Sequence, residues 1–287
     1  MPIDKFIYLL YKYNYNYPEF EFYNNKILSL YDIFPRSNKI YIKPNNNCKE
    51  LVIYGSNLES SVHLPKYTNI VSYMVNIPHN LICMLVGILL TDGHINIIHK
   101  KSKIKHKGIY TELNGRFYLK QSLNHSEYLI YVFNKLSHYC TRYPWSRKVY
   151  LKGKEFYAIE FMTRALPCIT LLRYKFYNGR IKIIPEDIYD YLSYEGLAHM
   201  IMCDGSLSRG SGIILNLQAF TTKELILFMN VLKIKFDIDC TLHKSRNKYN
   251  IYITTNSVKK IYPYIKPYII DNMKHKLSKK IKELDNN

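Results

Sequence analysis

Two stretches of the chain, LVGILLTDG at 85–93 and LAHMIMCDG at 197–205, run apolar and then end in Asp-Gly. Each reads as the end of a buried helix, expected over 81–92 and 195–204. Asp92 and Asp204 would then face the negative end of a helix macrodipole, unfavourable by about 0.3–1 kcal/mol even at an exposed site. If the two helices lie side by side, the carboxylates also repel each other. A hard divalent cation, Mg²⁺ (or Mn²⁺), relieves both conflicts, because two carboxylates and the carbonyls freed at helix ends are the oxygen ligands it takes. Gly93 and Gly205 are expected to leave the helices through positive φ. One Asp-Gly would be an ordinary turn; two, at matching points of a repeat, read as a site.

The elements that must position these acids repeat along the chain. After helix 81–92 come strand-like runs at 116–122, 148–152 and 155–161, a helix over 126–140, and a helical stretch 163–176 broken at Pro167. After helix 195–204 come strands at 213–220, 240–245 and 248–254, with helices at 222–236 and 256–265. The order is helix, two strands, helix, two strands, helix, twice over. Tyr157-x-Ile159-x-Phe161 before Thr163 mirrors Tyr249-x-Ile251-x-Ile253 before Thr255. Residues 1–80 are Tyr/Asn-rich and rich in turn signals; they read as an irregular leader of unknown role.

Strand alternation sorts side chains onto two faces. Arg116, Tyr118 and Lys120 oppose Phe117 and Leu119, and Lys148, Tyr150 and Lys152 oppose Val149 and Leu151. Asn216 and Gln218 oppose Leu215 and Leu217; Lys248, Asn250 and Tyr252 oppose Tyr249, Ile251 and Ile253. With His243 of the 240–245 strand, these polar positions form acid-poor sheet faces suited to phosphates and base edges.

Composition agrees. The chain has 287 residues, 41 Lys+Arg against 22 Asp+Glu, a net charge of +19 and 15% aromatics, which together imply a polyanionic partner. The most apolar run, Leu81 to Leu90, is about half of the roughly 20 residues a membrane-spanning helix needs. MPIDKF has neither the signal-peptide nor the transit-peptide layout. The six cysteines are scattered without a CxxC pair, which disfavours zinc ribbons and disulfide scaffolds. His94, His99 and His106 are too loosely spaced for a zinc site. Abundant Tyr, Asn, Ile and Lys fit an AT-rich organellar genome, where a protein made in the mitochondrion needs no cleavable targeting segment.

LVGILLTDG and LAHMIMCDG resemble the two signature helices of the LAGLIDADG homing endonucleases in their single-chain, pseudo-dimeric, organellar intron-encoded form. The flanking KQSLNHSEYL (120–129), RIKIIPEDIYDYLSYEGLAHMIMCDGS (180–206), LQAFTTKEL (217–225) and IKPYIIDNMKHKL (265–277) resemble the branch of the yeast omega-intron enzyme. The resemblance spans about residues 80–280. It implies an α+β fold of two αββαββα half-domains, 81–185 and 186–287, related by a pseudo-twofold axis behind the 1–80 leader. It also implies that Asp92 and Asp204 bind the divalent metals, with the carbonyls of Thr91 and Cys203 assisting, and that Gly87 and Ala198 let the helices approach.

Lys182 and Lys276 fall where the family has basic residues near the scissile phosphates. An ammonium there could position water or stabilise phosphorane charge, or be a plain phosphate clamp. His199, at the third motif position, reads as a packing residue. Cys203 stands where an aspartate is common, removing one negative charge. The expected function is double-strand DNA cleavage by a monomer at a long asymmetric target, since the halves differ. The alternative is a maturase that binds its host intron RNA. A DNA-binding repressor without catalysis would leave the dipole conflict at both aspartates unexplained.

Overall fold

The computed structural model describes residues 60–101, 110–151, 153–208, 211–245 and 247–277. Lys152, His106 and most of the expected leader lie outside the described residues. The described chain divides into two compact units. One holds the residues up to Pro78 together with His94–Leu172; the other holds His79–Gly93 and the chain from Arg173 onward. The first motif helix is thus grouped with the second, because the two pack on each other.

In the first unit a short helix α1 (Asn69–Met74) precedes β1 (His94–Lys101), β2 (Tyr110–Ser122), α3 (Ser126–Leu136), β3 (Trp145–Leu151), β4 (Lys154–Met162) and the start of α4 (Pro167–Phe176). The intervening helix α2 (His79–Leu89) belongs to the second unit. That unit continues with a small hairpin, β5 (Tyr177–Asn178) and β6 (Ile181–Lys182), and then α5 (Ile188–Tyr191), α6 (Tyr194–Asp204), β7 (Gly205–Leu207), β8 (Ile213–Leu215), α7 (Thr222–Phe236), β9 (Cys240–Ser245), β10 (Lys248–Ile253) and α8 (Thr255–Ile265). The sheets are ordered β1-β2-β4-β3 and β7-β8-β10-β9, antiparallel throughout. Strand for strand this is one topology used twice, so the expected α+β class and the two αββαββα halves stand.

Each sheet buries one face, as its alternation requires. Phe117 and Leu119 of β2 and Ile159 and Phe161 of β4 are buried, and Phe133 of α3 meets Phe161 edge-on at 5.6 Å. In the second unit Leu215, Ile251 and Ile253 are fully buried, as are Phe228 and Leu232 of α7. The start of α7 is fixed by a capping box: Glu224 N donates to Thr221 Oγ1, and Thr221 N donates to Glu224 Oε2. This satisfies two helix-end donors reciprocally.

Several expectations need correction. Pro167 opens α4 rather than breaking a helix, since at the first helical position its missing N–H costs nothing. The 213–220 strand stops at Leu215, and Gln218 lies in a turn closed by Phe220 N donating to Leu217 O. Two edge strands, β1 and β7, had no alternation clear enough to reveal them. Just before α1, buried Arg164 donates to the carbonyls of Ser61 (2.8 Å), Leu64 (3.0 Å) and Pro65 (2.8 Å), tying residues 61–65 to the first unit.

Candidate active site and sheet faces

Helices α2 and α6 meet backbone to backbone. A Cβ on Gly87 would lie 2.0 Å from Gly196 O, and one on Gly196 would lie 2.7 Å from Cys83 O. Gly196, not the expected Ala198, is the small residue opposite Gly87; Ala198 is a buried core residue. His199 is fully buried as well, as a packing residue would be.

The two helices end differently. In α2 regular helix stops at Leu89, and a turn carries the chain to Asp92. The Thr91 hydroxyl donates back to Gly87 O (2.9 Å) and Ile88 O (3.1 Å), and Gly93 N closes on Ile88 O at 2.8 Å. This satisfies helix-end carbonyls locally. Helix α6 runs through Asp204, and Gly205 follows with φ −70° and ψ 141°. Neither Gly93 nor Gly205 has positive φ, contrary to expectation. What Gly205 supplies is space, for a Cβ there would sit 2.4 Å from Ile201 O.

Each helix end receives a lysine. Lys182 sits on β6, in a hairpin turned by Gly179 at φ +59°, and its Nζ donates to Thr91 O at 2.6 Å. Lys276 ends a 3₁₀ turn over Asp271–Lys276, and its Nζ donates to Gly205 O at 2.8 Å and Cys203 O at 3.5 Å. Burial pulls the Lys182 ammonium below its usual range, and Asp92, Asp204 and Cys203 pull the other way. Asp204 is pushed up to about 6, first by burial and next by Asp92, with Lys182 and Lys276 opposing. Asp92 is exposed where Asp204 is only partly so. The fold therefore gathers Asp92, Asp204, Lys182, Lys276 and the Thr91 and Cys203 carbonyls. Among the described residues no group of three or more His, Cys, Asp or Glu could hold a metal, so any cation here leans on the two aspartates.

The sheet faces are partly as expected. Directly paired residues of antiparallel strands share a face. Arg116, Tyr118 and Lys120 do stand opposite buried Phe117 and Leu119. Lys148 and Tyr150 do not join them. Lys148 pairs with Tyr157 and Tyr150 with Glu155, and that alternate set continues to Ile159 and Phe161 on the buried face. Lys148 and Tyr150 both contact Glu155, at 3.0 and 3.1 Å. The partners of Lys120 across the sheet are instead Glu160 and, beyond it, Trp145, with Arg147 in the same set. The reason is register: alternation ranks the faces within a strand but does not say which face of the next strand matches.

In the second sheet Asn216, His243, Lys248, Asn250 and Tyr252 do share one face. Asn250, expected to be open to a ligand, is buried at 6% exposure. Two further first-sheet residues belong to the polar face. His94 pairs with Tyr118 and stacks on it at 5.2 Å, and Asn96 pairs with Arg116. The second sheet has its own stack, His243 on Tyr252 at 4.7 Å. His94 and Asn96 lie on β1, the strand that the sequence did not reveal.

A model of the LAGLIDADG DNA endonuclease family matches residues 82–261. The chain belongs to that family. Its relatives include proteins of two kinds. It is 35% identical over 157 residues to the intron-encoded endonuclease ai4 of Dictyostelium discoideum, across 52% of this chain and 98% of that protein. It is 29% identical over 218 residues to the cytochrome b mRNA maturase bI2 of Debaryomyces hansenii, across 74% of this chain and 79% of that one. Among solved structures, the homing endonuclease I-WcaI bound to its DNA recognition sequence aligns with a TM-score of 0.60 at 23% identity, covering 71% of this chain and 88% of that one. That likeness shows the shared LAGLIDADG fold.

Proposed function

We propose that the protein is a divalent-metal-dependent endonuclease that cuts both strands of a long, asymmetric DNA target, acting as a monomer in intron homing. The observation that carries the reading is the convergence of Asp92, Asp204, Lys182 and Lys276 at the ends of two helices locked together by glycines. The half-domains are assigned to 81–185 and 186–287, with 1–80 as a leader of unknown role.

The donor set suits Mg²⁺ or Mn²⁺. Asp204 carries a carboxyl whose ionisation is opposed by burial and by Asp92, so a cation between the acids favours the charged form of both. Asp92 and Asp204 would hold the ion, and Thr91 O and Cys203 O keep a lone pair each beside the lysine bond they accept. When bound, such an ion supplies Lewis-acid stabilisation and a water of lowered pKa. The chain's own part is electrostatic and positional. Lys182 and Lys276 place fixed ammonium groups where charge builds on a phosphorane, and their bonds to backbone carbonyls hold them there. Arg116, Tyr118, Lys120, Arg147 and His94 of the first sheet, and His243, Lys248 and Tyr252 of the second, are the proposed contacts to bases and phosphates.

Asp92→Asn and Asp204→Asn test the reading. Either variant is expected to bind the target in a gel-shift assay with unchanged affinity and to lose double-strand cleavage. Normal cutting by the double variant would end the nuclease assignment. A second reading, a maturase that assists splicing of its host intron, is favoured by the likeness to the Debaryomyces protein. A gel assay comparing intron RNA with the intronless DNA junction separates the two. Cytochrome b transcripts fit a mitochondrial, organelle-encoded setting.

A further inference from the structure

The carbonyl of Asp204 is the last of its helix and has no helical partner of its own. Asn216, just past the end of β8, supplies two. Its backbone N–H donates to Asp204 O at 3.2 Å and its side-chain Nδ2 donates to the same oxygen at 2.7 Å, with Ser206 Oγ at 3.3 Å as a further acceptor. The orientation of the amide is itself set, because Asn216 Oδ1 accepts from Asn250 Nδ2 at 3.4 Å. Asn250 is buried on the polar face of the second sheet, and its Oδ1 has no hydrogen-bond partner among the described residues. A buried acceptor left unmatched is costly, so an apolar residue would be the cheaper occupant if packing were the only demand.

With Ile159 matched to Ile251, the strand registers set Gln121 against Leu215, so Ser122 is the first-half counterpart of Asn216, and its hydroxyl accepts from Asn124 N at 3.4 Å. The first motif ends on the Thr91 hydroxyl instead.

From these observations we infer that Asn216 is a positioning residue for Asp204: its amide, oriented by Asn250, fixes the main chain from which the Asp204 carboxylate projects. The inference rests on Asp204 being a metal-holding carboxylate. Asn216 is thereby removed from the set of DNA contacts that its place on the sheet suggested. The mechanism is geometric, since a small misplacement of a group that must meet a cation and a phosphate costs far more than the bond that set it.

The test compares Asn216→Asp, which is isosteric but cannot donate from its side chain, with Asn216→Leu, which removes the polar group altogether. Three measurements are made on the full chain: duplex affinity in Ca²⁺ by anisotropy, Mn²⁺ affinity by electron paramagnetic resonance without turnover, and single-turnover cleavage at saturating DNA. Both variants are expected to bind DNA as the parent does, to hold Mn²⁺ more weakly, and to cut about 10- to 100-fold more slowly. Parental Mn²⁺ affinity and cutting would overturn the inference. So would weakened DNA binding with normal turnover, which would make Asn216 a DNA contact. Asp204→Asn in the same assay separates the two levels. If it cuts normally, the nuclease centre itself fails. If it is inactive while both Asn216 variants behave as the parent, only the positioning role fails. Should Asn216→Leu misfold, the isosteric variant carries the comparison.

Discussion

The two motif helices carry the same Asp-Gly at the same place in the repeat, and the chain ends them by different means. Helix α2 gives up regular geometry at Leu89 and closes on itself through Thr91 and Gly93, leaving Asp92 exposed. Helix α6 stays regular through Asp204 and has its last carbonyl held from outside by Asn216. The lysines differ too: Lys182 bonds the carbonyl before its aspartate, whereas Lys276 bonds most closely the carbonyl after it. A duplicated motif has thus diverged: beside the lysine that each end receives, one terminus closes through its own Thr91 hydroxyl and the other through the Asn216 amide. Equal carboxylates are not in equal surroundings: Asp92 is exposed, while Asp204 is half-buried and its proton affinity is pushed up to about 6.

The comparison can be broken most severely at the shared crossing. Gly87→Ala places a methyl group against the Gly196 carbonyl and is expected to destabilise the fold by about 3–5 kcal/mol in urea titration. Gly196→Ala, whose Cβ would meet Cys83 O less closely, is expected to cost less. A Gly87→Ala protein of parental stability would mean that the helices do not touch there.

Next in size are the lysines. Lys182→Met and Lys276→Met are each expected to slow cleavage by about 10²–10³-fold at saturating DNA while binding persists. Unequal losses would sharpen the asymmetry; losses confined to affinity would make both lysines phosphate clamps.

The third contrast is in pH. The folded Asp204 titrates near 6 against an ordinary 3.8, so without metal the folded state holds this proton more tightly than the unfolded chain does. Its contribution to stability is therefore fully present below about 3.8 and is lost as pH rises toward 6. Thermal melts of metal-free parent and Asp204→Asn are expected to converge at low pH and to separate above 6, with the variant the more stable. Mg²⁺ should narrow the gap by favouring the ionised form. Cleavage, which needs that ionised form, should fall as pH drops below about 6, and curves that stay parallel from 4 to 7 would remove the perturbed carboxyl. The smallest effect belongs to Thr91→Val, which deletes a hydroxyl bonded to two helix carbonyls and should cost about 1 kcal/mol.

Much of this was legible beforehand. The apolar runs before Asp92 and Asp204, the capping text at Thr221 to Glu224 and the alternation in 248–253 each satisfy a local rule, and each appears where that rule places it. Failures came where a remote partner decides. Lys148 and Tyr150 turned to the other face because β3 pairs with β4 in a register that no single strand encodes. Gln218 left the strand because Asn216 is drawn to the end of α6. Gly205 is required by the Ile201 carbonyl behind it and not by its own dihedral angles.

What the sequence determined by itself is therefore the inventory and its order: two αββαββα halves, two aspartates at the ends of apolar helices, and basic strands. These follow from period, charge and capping, which act over a few residues and survive without knowledge of the rest of the chain. Tertiary structure alone decided which glycine faces Gly87, which carbonyl each lysine holds, which sheet face Arg147 shares, and why Asp204 differs from Asp92. Each of these is a contact between residues far apart in sequence, and its energy exists only once the intervening chain has closed.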